Sequence, residues 1–333
     1  MHTGAHFTIP LDHDGKHIGQ IELPYSVDRS PFYRIQLPVC HIQNGDGPAV
    51  LLMAGVHGDE YEGKLALTQL IRELQPQRIK GQVTILPLAN GPAVHNASRC
   101  SPYDGGNLNR CFPGNPIAGP TSRIAHMIEN ELMVGKDYVF DLHSGGTSMA
   151  HLCCTLCEVG YGDVHDQRAR SLLSAMGMPF ALTADNGRDS PTSLAAANRV
   201  GCVAVSGEFG GGGSTSREKI DTTLAVLDRF MMAVGLTDAP VFEEISSAQD
   251  TVFIEQSGPE GMLLVAKHGW FEPMFDIGDD VKVGQLAGRI VDFMSPVHEP
   301  SELFFQCDGV ITSRRLHTHV QPGDCLYTVA RRS

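Results

Sequence analysis

Two hydrophobic periodicities alternate along residues 49–235 of the chain. Nearly continuous apolar runs, typical of strands that are buried on both faces, predict strands at 49–55, 82–90, 138–145, 149–157 and 202–210. Amphipathic segments of helical period predict helices at 64–74, 121–133, 167–177 and 217–235, the second of which has Thr121 as its expected N-cap. Strands that alternate with helices favour an α/β fold, in which a mostly parallel sheet carries helices on both faces.

The two ends of the chain have a different pattern. Residues 1–45 are rich in β-forming residues and predict a β lead-in, and from Phe242 onward short apolar segments alternate with turns. The C-terminal segment is similar to the barrel-sandwich domains of biotinyl and lipoyl carriers, but the lysine that such a carrier needs is missing, because the last lysine is Lys282. We therefore expect a larger domain at 1–240 and a small all-β domain at 241–333 that covers a site and carries no swinging cofactor.

The composition narrows the classes of partner. A chain of 333 residues with 42% hydrophobic and 19% charged residues is typical of a soluble globular protein. Its net charge of -13 argues against nucleic acid and anionic membranes as partners. The N-terminus lacks the features of a signal peptide, and no apolar run approaches the roughly 20 residues that cross a bilayer. Nine cysteines, an odd number, suit a reducing compartment, so we expect a cytoplasmic protein. The oligomeric state stays open, and a homo-oligomer is one alternative.

Cys153, Cys154 and Cys157 form a CCxxC cluster that could be a metal or redox site. No second pair follows at the spacing of a zinc ribbon, and the surrounding segment has the apolar pattern of a buried strand. We favour the interpretation that these cysteines are small apolar residues of that strand.

Polar side chains follow several of the predicted strands, at the points where those strands end. His57 and Glu60 follow the first strand, Asp141 and His143 close the third, and Glu208 closes the last. The carboxyl ends of parallel strands line one edge of an open sheet, which is where ligands bind. We therefore expect these side chains to meet at one site.

The residue types at this edge point to a metal. His57, Glu60 and His143 provide three ligands, and three protein ligands with one open position are the pattern of catalytic zinc. We predict one zinc ion per chain, although the ligand types also suit manganese or cobalt. Zinc lowers the pKa of its bound water to about 7, which makes Glu208 the candidate general base and acid. Asp141 could orient His143 or be no more than a polar strand end.

A long irregular loop at 98–114, SRCSPYDGGNLNRCFPG, could reach over the strand ends. Arg110 has the planar fork that binds a carboxylate, and Asn109 could bind the same group or a carbonyl. Arg99 could stabilise a developing oxyanion. An arginine in a loop is more often a solvated surface residue, so the loop alone does not decide between these readings.

Four segments, GVHGDEYEG, GGNLNRCFPG, DLHSGG and GEFGGGG, resemble in this order the succinylglutamate desuccinylase and aspartoacylase family of zinc carboxypeptidase-like hydrolases. The resemblance spans roughly residues 15–333. Within the family, IELPYS, NGDGPAVLL and SPYDGGNLNRCFPG are most similar to the N-acetyl-diaminobutyrate deacetylases of ectoine breakdown.

This resemblance implies a zinc-dependent deacylase that acts on the amide bond of a small N-acyl amino acid. The implied residues are His57, Glu60 and His143 for the metal, Asn109 and Arg110 for the substrate, Glu208 as general base and Arg99 as the candidate oxyanion arginine. The sequence departs from the aspartoacylases at Asn107, where they have an aspartate.

Two other functions stay open at this point. The same ligands would suit a metallocarboxypeptidase that acts on peptides, or a zinc-dependent binding protein without catalysis. A covered site would favour small substrates over peptides, and the presence of Glu208 speaks against a non-catalytic protein.

Overall fold

The computed structural model describes residues 3–242 and 248–332. Within these ranges, 15 strands form one large sheet. A second sheet of four strands, Gly269–Pro273, Leu286–Val291, Ser301–Phe304 and His319–Val320, lies in the C-terminal part of the same described ranges. The strands are β1 His6–Phe7, β2 Gly15–Pro24, β3 Arg34–Asn44, β4 Ala49–Ala54, β5 Gly81–Leu86, β6 Tyr138–His143, β7 Met149–His151, β8 Cys154–Glu158, β9 Phe180–Ala184, β10 Val203–Glu208, β11 Val252–Gln256, β12 Met262–Leu264, β13 Gly269–Pro273, β14 Asp280–Val281, β15 Leu286–Val291, β16 Ser301–Phe304, β17 Gly309–Arg315, β18 His319–Val320 and β19 Cys325–Arg332.

The large sheet as a whole is mixed. In the region for which a mostly parallel sheet was predicted, residues 49–235, the strands pair with one another in parallel at every junction except β8–β10. Among the described residues, parallel pairing is found in the block β5-β4-β6-β10 and between the neighbours β8-β9 and β9-β11. The lead-in strands β1 to β3 join the sheet by antiparallel pairing. β8 is antiparallel to β10 because no helix lies between β6 and β8, and a parallel connection needs a long crossover.

Helices pack on both faces of the central strands. They are α1 Glu62–Glu73, α2 Gly91–His95, α3 Pro120–Met127, α4 Asp163–Met176, α5 Ser193–Arg199 and α6 Arg217–Ala233. Leu67 of α1, Leu173 of α4 and Phe230 of α6 belong to one buried cluster, whereas Ile124 of α3 and Ala196 of α5 belong to another. Residues of β4 alternate between these two clusters, so this strand is buried on both faces, as its continuous apolar run predicts.

Several predicted boundaries differ from the observed ones. The strand expected at 82–90 ends at Leu86, because Asn90 instead caps α2 by accepting a hydrogen bond from the Ala93 amide. Thr121 is not an N-cap: α3 begins at Pro120 after Gly119, and the Thr121 hydroxyl donates to Asp104 of the preceding loop. The helix expected to run to residue 133 continues beyond α3 as a wider π-helical segment, Ile128–Met133.

The segment around the cysteine cluster is two strands, where one had been predicted. β7 pairs with β17, whereas β8 pairs with β10, so the chain changes partner between them. Cys154 and Cys157 are buried free thiols, and burial raises the pKa of Cys157 to about 12. Protonated thiols in a packed strand behave as small apolar groups.

The described C-terminal residues, 248–332, form strands and turns with one short 3-10 helix, Pro259–Gly261. They have a hydrophobic core of their own that includes Phe271, Phe305 and Tyr327. Their strands β11, β17 and β19 also belong to the large sheet, and β11 pairs in parallel with β9. The division into 1–240 and 241–333 stays a prediction, and residues 243–247, next to that boundary, lie outside the described ranges. Within the described ranges, no helix has the length and apolar character to cross a membrane.

Candidate active site

The turn after β4 places His57 and Glu60 side by side. Both side chains are buried, and His57 Nδ1 lies 2.6 Å from Glu60 Oε1. Gly55 has a φ of 71°, a left-handed conformation that favours glycine. A Cβ at Gly58 would collide with the Ala93 carbonyl. The two glycines therefore allow the tight turn that brings both side chains to one point.

His143 at the end of β6 completes the group. Its Nδ1 lies 3.0 Å from Glu60 Oε2, which also accepts a hydrogen bond of 3.1 Å from the Ser144 amide. One ligand atom from each of His57, Glu60 and His143 lies within 4.8 Å of the others. We call these three residues the ligand cluster. It is the one group of its kind found in the described part of the chain.

The Nε2 atom of each imidazole, which points away from Glu60, lies next to an oxygen acceptor. His57 Nε2 lies 3.0 Å from Asn107 Oδ1, and His143 Nε2 lies 2.7 Å from Asp141 Oδ2. An Nε2–H that donates to these oxygens leaves each Nδ1 with its electron pair directed toward Glu60. Such outer hydrogen bonds are what orients histidine ligands in metal sites, so the donor set fits a divalent metal.

The charges of the ligand cluster and its neighbours favour the binding of a cation. Burial would raise the pKa of Glu60, but His57 and His143 lower it below its ordinary value. Burial would likewise lower the pKa of His143, but Asp141 and Glu60 raise it well above its ordinary value. A buried carboxylate that stays ionised between two imidazoles is suited to a divalent cation.

Glu208 lies next to the ligand cluster because of strand register. β10 pairs in parallel with β6 so that Glu208 is opposite His143. Glu208 Oε2 is buried and has no hydrogen-bond partner among the described residues. An unpaired carboxylate oxygen in a buried position is costly, so this atom is available to accept a proton or a hydrogen bond from a ligand.

The loop at 98–114 brings three more predicted residues to the site. Arg99 Nη1 lies 3.7 Å from Glu60 Oε1, and the Arg99 side chain is 46% exposed. Arg110 is exposed and donates to the Asn109 carbonyl at 2.7 Å. Although the residue as a whole is exposed, partial desolvation of its guanidinium and the charge of Arg99 lower the pKa of Arg110, and Glu158 opposes them. Asn109 Oδ1 accepts from the Ser193 amide at 2.8 Å, which leaves the Asn109 NH2 group as the donor for a ligand.

One cavity of about 530 Å³ joins all seven predicted site residues. Its wall also includes residues from the C-terminal strands and turns, among them Gln256, Met262, Thr312 and Thr328. The predicted convergence of distant segments at one place is therefore what the structure has. The roles predicted for the individual residues stay predictions.

Sequence reasoning missed several residues in this cavity or directly behind it. Asn107 had been noted only as a departure from the aspartoacylases, whereas it holds His57. The start of α5 was also missed, although its signal was present, because Thr192 is an N-cap that accepts from the Ala195 amide. Glu158 at the end of β8 lines the same cavity and follows an apolar run, as the other site residues do.

Comparison with known proteins gives consistent matches. The model of the succinylglutamate desuccinylase/aspartoacylase catalytic domain matches residues 46–234. An N-alpha-acetyl-L-2,4-diaminobutyric acid deacetylase from Halomonas elongata is 33% identical over 97% of this chain and 94% of its own.

Two solved structures are similar along their whole length. A product-bound structure of the ectoine utilization protein EutE (DoeB) from Ruegeria pomeroyi has a TM-score of 0.92 and 30% identity, with 98% of each chain covered. A succinylglutamate desuccinylase/aspartoacylase from Rhodobacter sphaeroides has a TM-score of 0.91 and 28% identity, with 99% of each chain covered.

Proposed function

The chain belongs to the succinylglutamate desuccinylase/aspartoacylase family, and we propose that it is a zinc-dependent deacylase of small N-acyl amino acids. The observation that carries the proposal is the ligand cluster, which stands beside the unpaired carboxylate oxygen of Glu208 in one cavity. The name of the Halomonas relative supports N-acetyl-2,4-diaminobutyrate as the first substrate to test.

The ligand cluster would hold the metal through His57 Nδ1, His143 Nδ1 and the Glu60 carboxylate. A zinc ion held there would supply Lewis acidity, which lowers the pKa of a water molecule to about 7 and polarises a carbonyl group. The hydrogen bonds that the imidazoles donate to Asn107 Oδ1 and Asp141 Oδ2 keep the rings in the orientation that this role requires.

The remaining polar groups then have separate tasks. Glu208 accepts the proton of the attacking water at its carboxylate and returns it to the departing amine. Arg110 and the Asn109 NH2 group hold the α-carboxylate of the substrate, because a guanidinium fork matches a carboxylate. Arg99, 3.7 Å from Glu60, donates to the oxyanion that develops on the amide carbonyl.

The C-terminal strands limit the size of the substrate in this proposal. Residues such as Met262 and Thr328 line the cavity together with residues of the loop at 98–114, so the described C-terminal strands act as its cover. A covered cavity of about 530 Å³ suits an acylated amino acid better than a peptide chain.

The test is a substrate comparison with the zinc-loaded protein. Release of free amine is measured from N-acetyl-L-2,4-diaminobutyrate, N-acetyl-L-aspartate, N-succinyl-L-glutamate and short unblocked peptides. We expect an acylated amino acid to be hydrolysed and the peptides to be left intact. Faster trimming of peptides would identify a metallocarboxypeptidase, and zinc-dependent binding of the acylated amino acids without product would identify a binding protein.

A further inference from the structure

The cavity extends along one face of the large sheet, away from the ligand cluster. β8 is antiparallel to β10, with Cys154 opposite Glu208 and Leu156 opposite Ser206. Because successive side chains of a strand point to opposite faces, Cys154, Leu156 and Glu158 share one face. All three line the cavity, as do Ser206 and Glu208. We call this face of β8 and β10 the floor of the cavity. Glu158 therefore lies farther along the floor than the catalytic groups.

Glu158 is a buried carboxylate whose contacts are all neutral. The residue is 2% exposed. Its oxygens accept hydrogen bonds from Thr192 Oγ1 at 2.8 Å, Asn186 Nδ2 at 3.0 Å and the Tyr161 hydroxyl at 3.2 Å. None of these donors carries charge. A buried charge is stable when a partner of opposite sign compensates it. The charge of Glu158 raises the pKa of Arg110 in the same cavity, but no cation among the described residues forms an ion pair with Glu158, so the cavity is the place from which a bonded partner can come.

The surroundings of Glu158 suit a short aliphatic group with a polar end. Leu156 and Leu182 provide apolar lining beside it. Ser206 lies on the same floor, is 2% exposed, and its Oγ is buried without a hydrogen-bond partner in the described residues. An unpaired hydroxyl and a carboxylate without an ion-pair partner among the described residues lie in one cavity, and both favour a ligand with hydrogen-bond donors.

We propose that Glu158 is a specificity-determining residue that binds the side-chain ammonium group of an N-acyl amino acid. The inference rests on the proposed function, in which Arg110 holds the α-carboxylate. A negative group at one point of the cavity and a positive group at another then select substrates with a short cationic side chain. Acyl amino acids with an acidic side chain are repelled by Glu158.

The test compares two substrates of nearly equal shape. N-acetyl-L-2,4-diaminobutyrate ends in an ammonium group where N-acetyl-L-norvaline ends in a methyl group. We expect the zinc-loaded native protein to prefer the cationic substrate in kcat/KM by about tenfold or more, since a hydrogen-bonded charge is lost with the methyl group. Glu158→Gln keeps the size of the side chain: its oxygen can accept from Thr192 and Asn186, and its NH2 group can donate to the Tyr161 oxygen. The variant should therefore lose this preference, chiefly through a lower kcat/KM for the diaminobutyrate substrate.

Two further variants separate recognition from folding. Glu158→Asp, which keeps the charge, should retain part of the preference, and Glu302→Gln on β16 removes an exposed carboxylate far along the chain and should retain all of it. If Glu158→Gln slows both substrates equally, Glu158 acts through the fold or through Arg110, and the inference is overturned. A native protein that prefers the norvaline substrate would overturn it as well.

A binding measurement makes the inference independent of turnover. Titration calorimetry with free L-2,4-diaminobutyrate and L-norvaline gives the two dissociation constants for the native protein and for Glu158→Gln. Tighter binding of diaminobutyrate that disappears in the variant supports the inference, even if no acylated substrate is hydrolysed and the proposed function fails. Equal binding of both amino acids to the native protein overturns it, whatever the enzyme assay shows.

Discussion

The ligand cluster and the two loop arginines, Arg99 and Arg110, meet in one cavity but are held in different ways. The residues of the ligand cluster are buried at strand ends, and both nitrogens of each histidine have a partner. The Arg99 side chain is 46% exposed, and Arg110 is also exposed. The cavity therefore has a preorganised end, formed by the ligand cluster, and an adaptable end, formed by the two arginines.

This difference determines how much free energy is lost when a residue of each group is removed. Removing a member of a buried, hydrogen-bonded group leaves its former partners unpaired in a dry environment, which is costly. An exposed arginine can be solvated when its partner is missing, and its contribution is smaller. Changes to the ligand cluster and its neighbours should therefore act on metal binding and on the chemical step. A change to Arg110 should act on substrate binding, and a change to Arg99 tests whether an exposed arginine acts on the chemical step.

The largest effect is expected for His143→Ala. The change removes one nitrogen ligand and leaves Glu60 and Asp141 without their imidazole partner. We expect zinc content and amide hydrolysis to fall to background, measured by elemental analysis and by the release of amine. His126→Ala is the control, since His126 lies in α3 outside the cavity. Full zinc content and activity in His143→Ala would contradict the assignment of the ligand cluster.

The next effect is expected for Glu208→Gln. The amide keeps the shape of the side chain but cannot take a proton from water, so the rate should fall by about 10² to 10⁴. Zinc content should be unchanged, because Glu208 is not a member of the ligand cluster. Glu260→Gln, a change of an exposed carboxylate, should leave both quantities as they are. Substantial residual hydrolysis in Glu208→Gln would refute its role.

Arg99→Ala tests whether an exposed arginine can act on the chemical step. Loss of an oxyanion donor lowers kcat by about 10², and KM should change little. The exposed Arg72, at the end of α1, offers the control Arg72→Ala. A rise in KM with unchanged kcat would place Arg99 in substrate binding instead.

Asn107→Ala tests the outer support of the ligand cluster. The change removes the oxygen that accepts from His57 Nε2, and loss of such a partner weakens metal binding by about 10- to 100-fold. Asn107→Asp restores an acceptor and should keep most of the affinity. Competition with a chelator measures both variants, and equal zinc affinity in Asn107→Ala and the native protein would show that the contact has no such role.

The smallest effect is expected for Arg110→Lys. Lysine keeps the charge but loses the planar fork, so KM should rise roughly tenfold while kcat stays nearly constant. Steady-state kinetics on N-acetyl-L-2,4-diaminobutyrate measure the two constants. A fall in kcat with unchanged KM would indicate that Arg110, and not Arg99, contacts the oxyanion.

The preorganised end of the cavity was easier to predict from the sequence than the adaptable one. Local spacing places His57 near Glu60, and strand periodicity places His143 and Glu208 at the same sheet edge, so both relations can be read along the chain. The mixed direction of the sheet could not be read in this way. It depends on which strand β8 pairs with, and a short connection without a helix was the only signal.

Contacts between distant segments escaped prediction for a similar reason. Asn109 is held by the Ser193 amide, and these residues are 84 positions apart. Glu158 is held by Thr192 and Asn186 from the loop before α5. Such contacts depend on the path of a loop in space, and neither residue types nor periodicity encode that path directly.

The register between β6 and β10 limits how this protein can change in evolution. His143 and Glu208 are opposite each other on adjacent strands, and a shift by one residue would turn the Glu208 side chain to the other face of the sheet. Lineages that diversify from this chain can therefore lengthen or shorten the segments around 98–114 and 185–192, but insertions or deletions within β10 should be eliminated by selection.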